Sequence, residues 1–263
     1  MLHDLDDLLA LASEVAEEAA GLLLAGLDQA RVAVATKSSL TDVVTEYDHR
    51  AEALIAGRLA AARPGDGLLA EEGSSRPSAS GVRWVVDPLD GTVNYLYGHP
   101  GFAVSIAAEV DGELAVGVVH DPLSGDTFAA ARGRGSTRNG APIAVRPPPG
   151  LAAALVATGF SYRPEHRQRQ ARALVHVLPR VRDVRRMGSA AIDLCSVASG
   201  RVDAYYEELL NPWDFAAGTV IAREAGAIVT DGEGGPPSSR LCVAAAPPLH
   251  DALVDLLIAA GRA

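Results

Sequence analysis

Apolar residues recur at helical spacing over positions 3–27 and again over 46–62, where Ala51, Leu54, Ile55 and Leu59 form one stripe. Each segment predicts an amphipathic helix. The stretch "RPGDG" ends the second helix, "LLAEEG" runs from apolar residues into acid, and "SSRPSASG" reads as a small polar loop. Beyond it the pattern shortens to strand length at 83–87, 102–110, 114–120 and 126–131, with "VDGEL" as a hairpin signal between two of them. The first half of the chain therefore predicts two helices followed by mostly antiparallel strands.

The proline-rich "RPPPG" at 146–150 is the clearest break and divides the chain into expected subdomains 1–145 and 146–263. After the break, strands are expected near 151–158, 182–186, 202–206, 227–230 and 241–245. Between them lie helical patterns near 164–179, 189–199 and 214–225, and "PPLHDALVDLLIAAG" closes the chain as a last amphipathic helix. Strand and helix alternate here, so the fold class is α/β, with an α+β character in the first half.

Composition narrows the choice of function. With 263 residues, 48% of them hydrophobic, the chain can bury roughly three quarters of its unfolded surface. No apolar run approaches the roughly 18 residues of a membrane span, and the acidic N-terminus lacks a basic leader region. A soluble, cytoplasmic protein without membrane association is expected. Cys195 and Cys242 stand far apart and outside any metal-binding spacing, which predicts buried thiols. A net charge of −10, read together with the absence of a basic stripe, argues against direct nucleic-acid binding. An acidic chain can still take an anionic substrate if bound cations invert the local field.

The stretch "WVVDPLDGT" at 84–92 offers such a place. Pro88 pushes Asp87 towards extended geometry and fixes the next φ, and Gly91 permits a backbone reversal. Asp87, Asp90 and the Leu89 carbonyl would then present hard oxygen donors of the kind Mg²⁺ prefers. A plain β-turn explains the same residue types. Two aspartates at close range nevertheless repel unless something compensates them. Glu71 and Glu72, at the end of an apolar segment, are candidates to share the load. So is Asp214, which an N-cap role would also explain, and so is Asp48, by default a residue on a helix surface. The spacing D-P-L-D-G-T is one residue too long for the DxDGT of aspartyl-phosphate enzymes.

Taken in order, "EEG", "WVVDPLDGTVNY", "RRMGSAAIDLCSVASGRVDAYYE" and "NPWDFAAGTVIAREAGA" resemble the inositol monophosphatase family of Mg²⁺-dependent phosphomonoesterases, most of all its bacterial inositol-1-monophosphatase branch. The resemblance implies a layered α/β/α/β/α sandwich acting on a small phosphate ester. It implies two or three Mg²⁺ per subunit, with Glu71, Asp87 and the Leu89 carbonyl at the first, Asp87, Asp90 and Asp214 at the second, and Asp48 near a third. Most ligands fall in the N-terminal subdomain; Asp214 and the substrate side fall in the C-terminal one. Glu71, Thr92 and Asp90 form the implied catalytic set, with Thr92 and Glu71 orienting the attacking water. Gly91 and Thr92 would bind phosphate through backbone N–H groups, and Arg185, Ala190, Glu207 and Asp214 would frame the inositol. Lys37 would precede a loop that folds over the site. The resemblance further implies a lithium-sensitive homodimer. Sibling enzymes act on fructose 1,6-bisphosphate, histidinol phosphate or 3′-phosphoadenosine 5′-phosphate, and a regulatory role through a protein partner is an alternative. Val93, Tyr95 and Ala70 depart from residues common in the family without touching a proposed ligand.

Overall fold

The computed structural model describes residues 4–28, 34–39, 42–146, 148 and 150–261. Helix α1 (Leu5–Gly26) starts at Asp4, whose carboxylate accepts the Asp6 N–H, and buries Leu8, Ala12, Val15, Ala19 and Leu23 along one face. A two-stranded hairpin, β1 (Val34–Ser39) and β2 (Asp42–Thr45), leads into α2 (Glu46–Ala62). Lys37 lies on β1, but its side chain and residues 40–41, on which the expected loop falls, lie outside the described residues.

An eight-stranded sheet follows: β3 (Gly67–Ala70), β4 (Ser75–Arg76), β5 (Val82–Asp90), β6 (Ala103–Val110), β7 (Glu113–Asp121), β8 (Asp126–Ala131), β9 (Ser136–Arg138) and β10 (Ala141–Ile143). Its order is β10-β9-β8-β7-β6-β5-β3-β4, and only β3 and β5 run parallel. A short helix, α3 (Thr92–Tyr97), leaves the end of β5. The rest of the chain builds a five-stranded sheet ordered β12-β11-β13-β15-β14. Its strands and helices are β11 (Leu155–Thr158), α4 (Pro164–Val177), β12 (Asp183–Arg185), α5 (Ala190–Ala198), β13 (Ala204–Glu207), α6 (Pro212–Glu224), β14 (Ile228–Thr230), β15 (Cys242–Ala245) and α7 (Pro247–Ala259).

These elements stack in five layers. Helices α1 and α2 cover the outer face of the large sheet, meeting Trp84, Val86, Ile106 and Val118. The middle layer, α5 and α6, packs between the sheets, against Val85, Ala107, Val119 and Phe128 on one side and Tyr205, Val229 and Ala244 on the other. Residues of α7 and the end of α4 close the far face over Val156, Ala204, Tyr206 and Val243. The arrangement is the expected α/β/α/β/α sandwich. Because both faces of each sheet are covered, the central strands read as nearly continuous apolar runs. Both cysteines are buried free thiols.

The unpredicted strands are β1, β2, β4, β9 and β10, each two to six residues long and so too short to show an apolar period; β4 lies inside the stretch expected to be a polar loop. The strand expected at 151–158 opens instead with a 3-10 turn, Leu151–Ala153, closed by Ala153 N–H on the Gly150 carbonyl.

The middle layer is thin because small residues let backbones approach. A Cβ at Gly117 on β7 would stand 2.4 Å from the Ala217 carbonyl oxygen of α6, and one at Gly218 would stand 2.6 Å from Leu194 Cβ on α5. Neither glycine has a positive φ, so space alone demands it. Gly117→Ala is expected to destabilise the fold by about 2 kcal/mol through overpacking, lowering the thermal midpoint by about 4–8 °C in a calorimetric melt.

Candidate active site

Along a regular strand, side chains three apart point to opposite faces, so Asp87 and Asp90 should diverge. They do not, because β5 carries a bulge. Asp87 pairs with Ser105 and Asp90 with Ala103, placing one extra residue on β5 between the two pairings. Pro88, lacking an N–H, sits where the ladder is already broken. Leu89 turns to the outer core while both aspartates face the middle layer. The Leu89 N–H donates to Asp87 Oδ1 at 3.0 Å, fixing that carboxylate. Gly91, at φ 96°, then starts α3, and a Cβ there would stand 2.7 Å from the Gly101 carbonyl oxygen.

Two further acids arrive by one local device, the capping box. Asp214 is not the N-cap of its helix. Asn211 holds that place, and Asp214, at the third helical position, accepts the Asn211 N–H on Oδ2 at 2.6 Å. Asp48 does the same at the start of α2, accepting the Thr45 N–H and hydroxyl on Oδ2 at 2.8 and 2.5 Å. Contrary to the expectation of a surface residue, Asp48 is fully buried. Its other oxygen, Oδ1, lies 3.0 Å from the Thr92 hydroxyl, which can alternatively donate to the Leu89 carbonyl at 3.2 Å.

Glu71 follows β3, held beside β5 by its N–H on the Val86 carbonyl. The turn after it is anchored by Glu52 of α2, whose carboxylate accepts the Glu72 N–H at 2.6 Å and the Ser74 N–H at 2.9 Å. Nothing in the sequence pattern singles out Glu52, since a glutamate on a helix is ordinarily solvated. Ser189 was missed likewise. It caps α5 and donates to Asp90 Oδ2 at 2.6 Å, alongside the Ala191 N–H at 2.8 Å.

A cleft of about 500 Å³ is lined by Glu71, Asp87, Asp90 and Asp214 together with Glu207 and the segment 159–163. Enclosure raises the carboxyls of Asp87 and Asp214 well above the usual range, and the acids around each add to the rise. Asp90 is pushed up to about 6 by burial, with the Ser189 and Ala191 donors pulling the other way. Glu207 is pushed up to about 7, again chiefly by burial, although the Tyr205 hydroxyl opposes it. Among the described residues no three His, Cys, Asp or Glu side chains already stand as a closed ligand set. The chemistry of the donors nonetheless fits a hard divalent cation, because the cluster offers carboxylates and a carbonyl, and its four acids outnumber Arg186, the cleft arginine whose charge opposes the rise at Asp90.

The family model for the inositol monophosphatase family matches residues 4–261. The chain belongs to the inositol monophosphatase family. It is 46% identical over 237 residues to the inositol-1-monophosphatase SuhB of Mycobacterium tuberculosis, covering 86% of this chain and 81% of that protein. It is also 37% identical over 233 residues to the Nus factor SuhB of Escherichia coli, covering 87% and 86%. Among solved structures, the SuhB protein of Bartonella henselae superposes with a TM-score of 0.91 at 36% identity, covering 95% of this chain and 98% of that one. Family membership supports a phosphatase. No helix among the described residues is long and apolar enough to cross a membrane.

The family's expected residues divide in this structure. Glu71, Asp87, Leu89, Asp90, Gly91, Thr92, Ala190, Glu207 and Asp214 line the cleft. Asp48 stands behind it, in contact with Thr92. Arg185 does not line it; its guanidinium bonds Asp183 at 2.6 Å on the exposed edge strand, and Arg186 reaches the cleft instead, since the two project to opposite sides of the chain. The expectation that no basic stretch exists also needs correction. Segment 163–186 holds eight arginines against two acids, and Arg163, Arg169, Arg172, Arg180 and Arg182 are exposed along it.

These raised carboxyls fix the sign of a pH dependence. Unfolded carboxyls titrate near about 4, and Asp90 and Glu207 titrate in the fold at about 6 and about 7. The folded state therefore binds more protons in that interval, and its stability falls as pH rises through it. In chelator-treated protein the thermal midpoint is expected to drop between pH 5 and pH 8, roughly the window these values define. Added Mg²⁺ should flatten the drop; an equally steep fall with Mg²⁺ present would count against a cation at the cluster.

Proposed function

We propose that this chain hydrolyses the phosphate monoester of a small polyol, with myo-inositol 1-phosphate as the substrate, by attack of water. The observation that carries the reading is one cleft that brings together four acids from three separate segments, Glu71, Asp87 with Asp90, and Asp214, and adds Glu207 from a fourth. Mg²⁺ held by Glu71, Asp87, the Leu89 carbonyl, Asp90 and Asp214 would supply the positive charge that draws in phosphate and acidifies water.

The chain's own residues supply position and proton transfer. Thr92, donating its proton to Asp48, offers a hydroxyl lone pair to the attacking water, and Glu71 takes the water's proton as the bond to phosphorus forms and the ester P–O bond breaks, the polyol oxygen leaving and taking up a proton from solvent. Gly91 and Thr92 present backbone N–H groups to the phosphoryl oxygens at the start of α3. Arg186 adds charge on the substrate side, and Glu207 accepts a hydrogen bond from a ring hydroxyl while Ala190 leaves room for the ring. Both oxygens of Asp48 are engaged by Thr45 and Thr92, which suits it to holding Thr92 better than to holding a third ion. The proposal extends to a cytoplasmic, lithium-sensitive homodimer.

A second reading, partner binding beside catalysis, is favoured by the exposed arginines of segment 163–186 and by the Nus-factor name of the E. coli relative. Arginine-rich surface of this kind fits an anionic partner.

Asp90→Asn is expected to raise the Mg²⁺ concentration needed for half-maximal hydrolysis at least tenfold, about the weight of one ligand or its neighbour; activity at unchanged Mg²⁺ dependence sinks the assignment. Glu71→Gln should lower kcat by about 10²–10⁴, the usual share of general base catalysis, with KM little moved. A panel of myo-inositol 1-phosphate, fructose 1,6-bisphosphate, histidinol phosphate and 3′-phosphoadenosine 5′-phosphate, read by phosphate release, should give the highest kcat/KM for the first. Preference for another member would reassign the substrate.

A further inference from the structure

Glu207 closes β13 with its carboxylate in the cleft, and two neighbours hold it there. Tyr205 lies two positions earlier and so on the same face of the strand. Its ring is fully buried in the middle layer, and its hydroxyl donates to Glu207 Oε2 at 2.9 Å. From the other side comes Gly159. Strand β11 pairs in parallel with β13, Thr158 opposite Tyr206, which brings the next residue of one beside the next residue of the other. A Cβ at Gly159 would stand 2.0–2.1 Å from the Glu207 carboxylate atoms. The backbone of Gly159 lies outside the positive-φ region, so a side chain there would meet no backbone strain but would have to displace the carboxylate.

We infer that Tyr205 and Gly159 are specificity-determining positioning residues: Tyr205 engages Oε2, Gly159 leaves the room the carboxylate fills, and Oε1 is thereby presented to a hydroxyl of the substrate. The inference rests on the proposed contact between Glu207 and the polyol. The phosphate is assigned to other groups, the Gly91 and Thr92 N–H groups and the cation held by the aspartates, so the device bears on which alcohol is accepted and not on bond cleavage. It selects hydroxyl-bearing polyol phosphates over esters whose alcohol carries no further hydroxyl.

The test compares kcat/KM for myo-inositol 1-phosphate with kcat/KM for phenyl phosphate in the Mg²⁺-loaded protein. Tyr205→Phe, which removes one buried donor and keeps the ring, is expected to lower the ratio of the two about tenfold, the weight of a hydrogen bond to a charged acceptor, with the change in KM. Gly159→Ala should lower the same ratio by displacing the carboxylate. Glu207→Ala supplies the reference loss, and adding Tyr205→Phe to it should change the ratio by less than about twofold, because the shared partner is already gone. Additive losses, or equal losses on both esters, overturn the inference. If Glu207→Ala leaves the ratio at the wild-type value, the polyol contact itself fails. If Glu207→Ala lowers the ratio while Tyr205→Phe and Gly159→Ala leave it, the contact stands and the positioning role falls.

Discussion

The structure depends on holding Asp87, Asp90, Asp214 and Glu71 close together with little water between them. Like charges in such surroundings disfavour their own ionisation, and the raised carboxyls of Asp87 and Asp214 record the cost. The fold tolerates the cluster by giving its aspartates donors on the protein side. Leu89 serves Asp87, Ser189 and Ala191 serve Asp90, and Asn211 serves Asp214. Donors of this kind favour the charged form and leave the cleft side of the cluster to a cation or a proton.

The middle layer makes this convergence possible. Asp214 rides on the first turn of α6, and α6 can lie against β7 only because Gly117 has no side chain to separate them. The same layer carries α5, whose cap Ser189 reaches across to Asp90. Packing and chemistry are thus the same contact seen from two sides. The substrate side follows the same logic, with Glu207 lodged in space that Gly159 vacates.

Much of the fold was legible in the chain. Helices α1, α2 and α5, and the strands of both central sheets, carry long apolar patterns, and the predicted bounds of α2 match the observed ones. Three-residue strands such as β9 and β10 are too short to carry such a pattern. At the site, the oxygen-rich donor types at Asp87, Asp90 and Glu71 could be read from the sequence. The roles of Glu52 and Ser189 could not, because each acts through a partner more than 15 positions away. Asp48 reads as a surface residue for the same reason: one of its oxygens is engaged by Thr92, 44 positions along the chain.

By itself, then, the sequence determined where the longer helices and strands lie, where the main composition break falls, and which residues offer hard oxygen donors. Those properties depend on neighbours within a few positions. The tertiary structure alone decided that a bulge turns Asp87 and Asp90 to one side, that Arg186 and not Arg185 faces the cleft, and that Tyr205 and Gly159 bracket Glu207. Each of these requires strands to be paired and layers stacked, which brings together residues that are far apart along the chain.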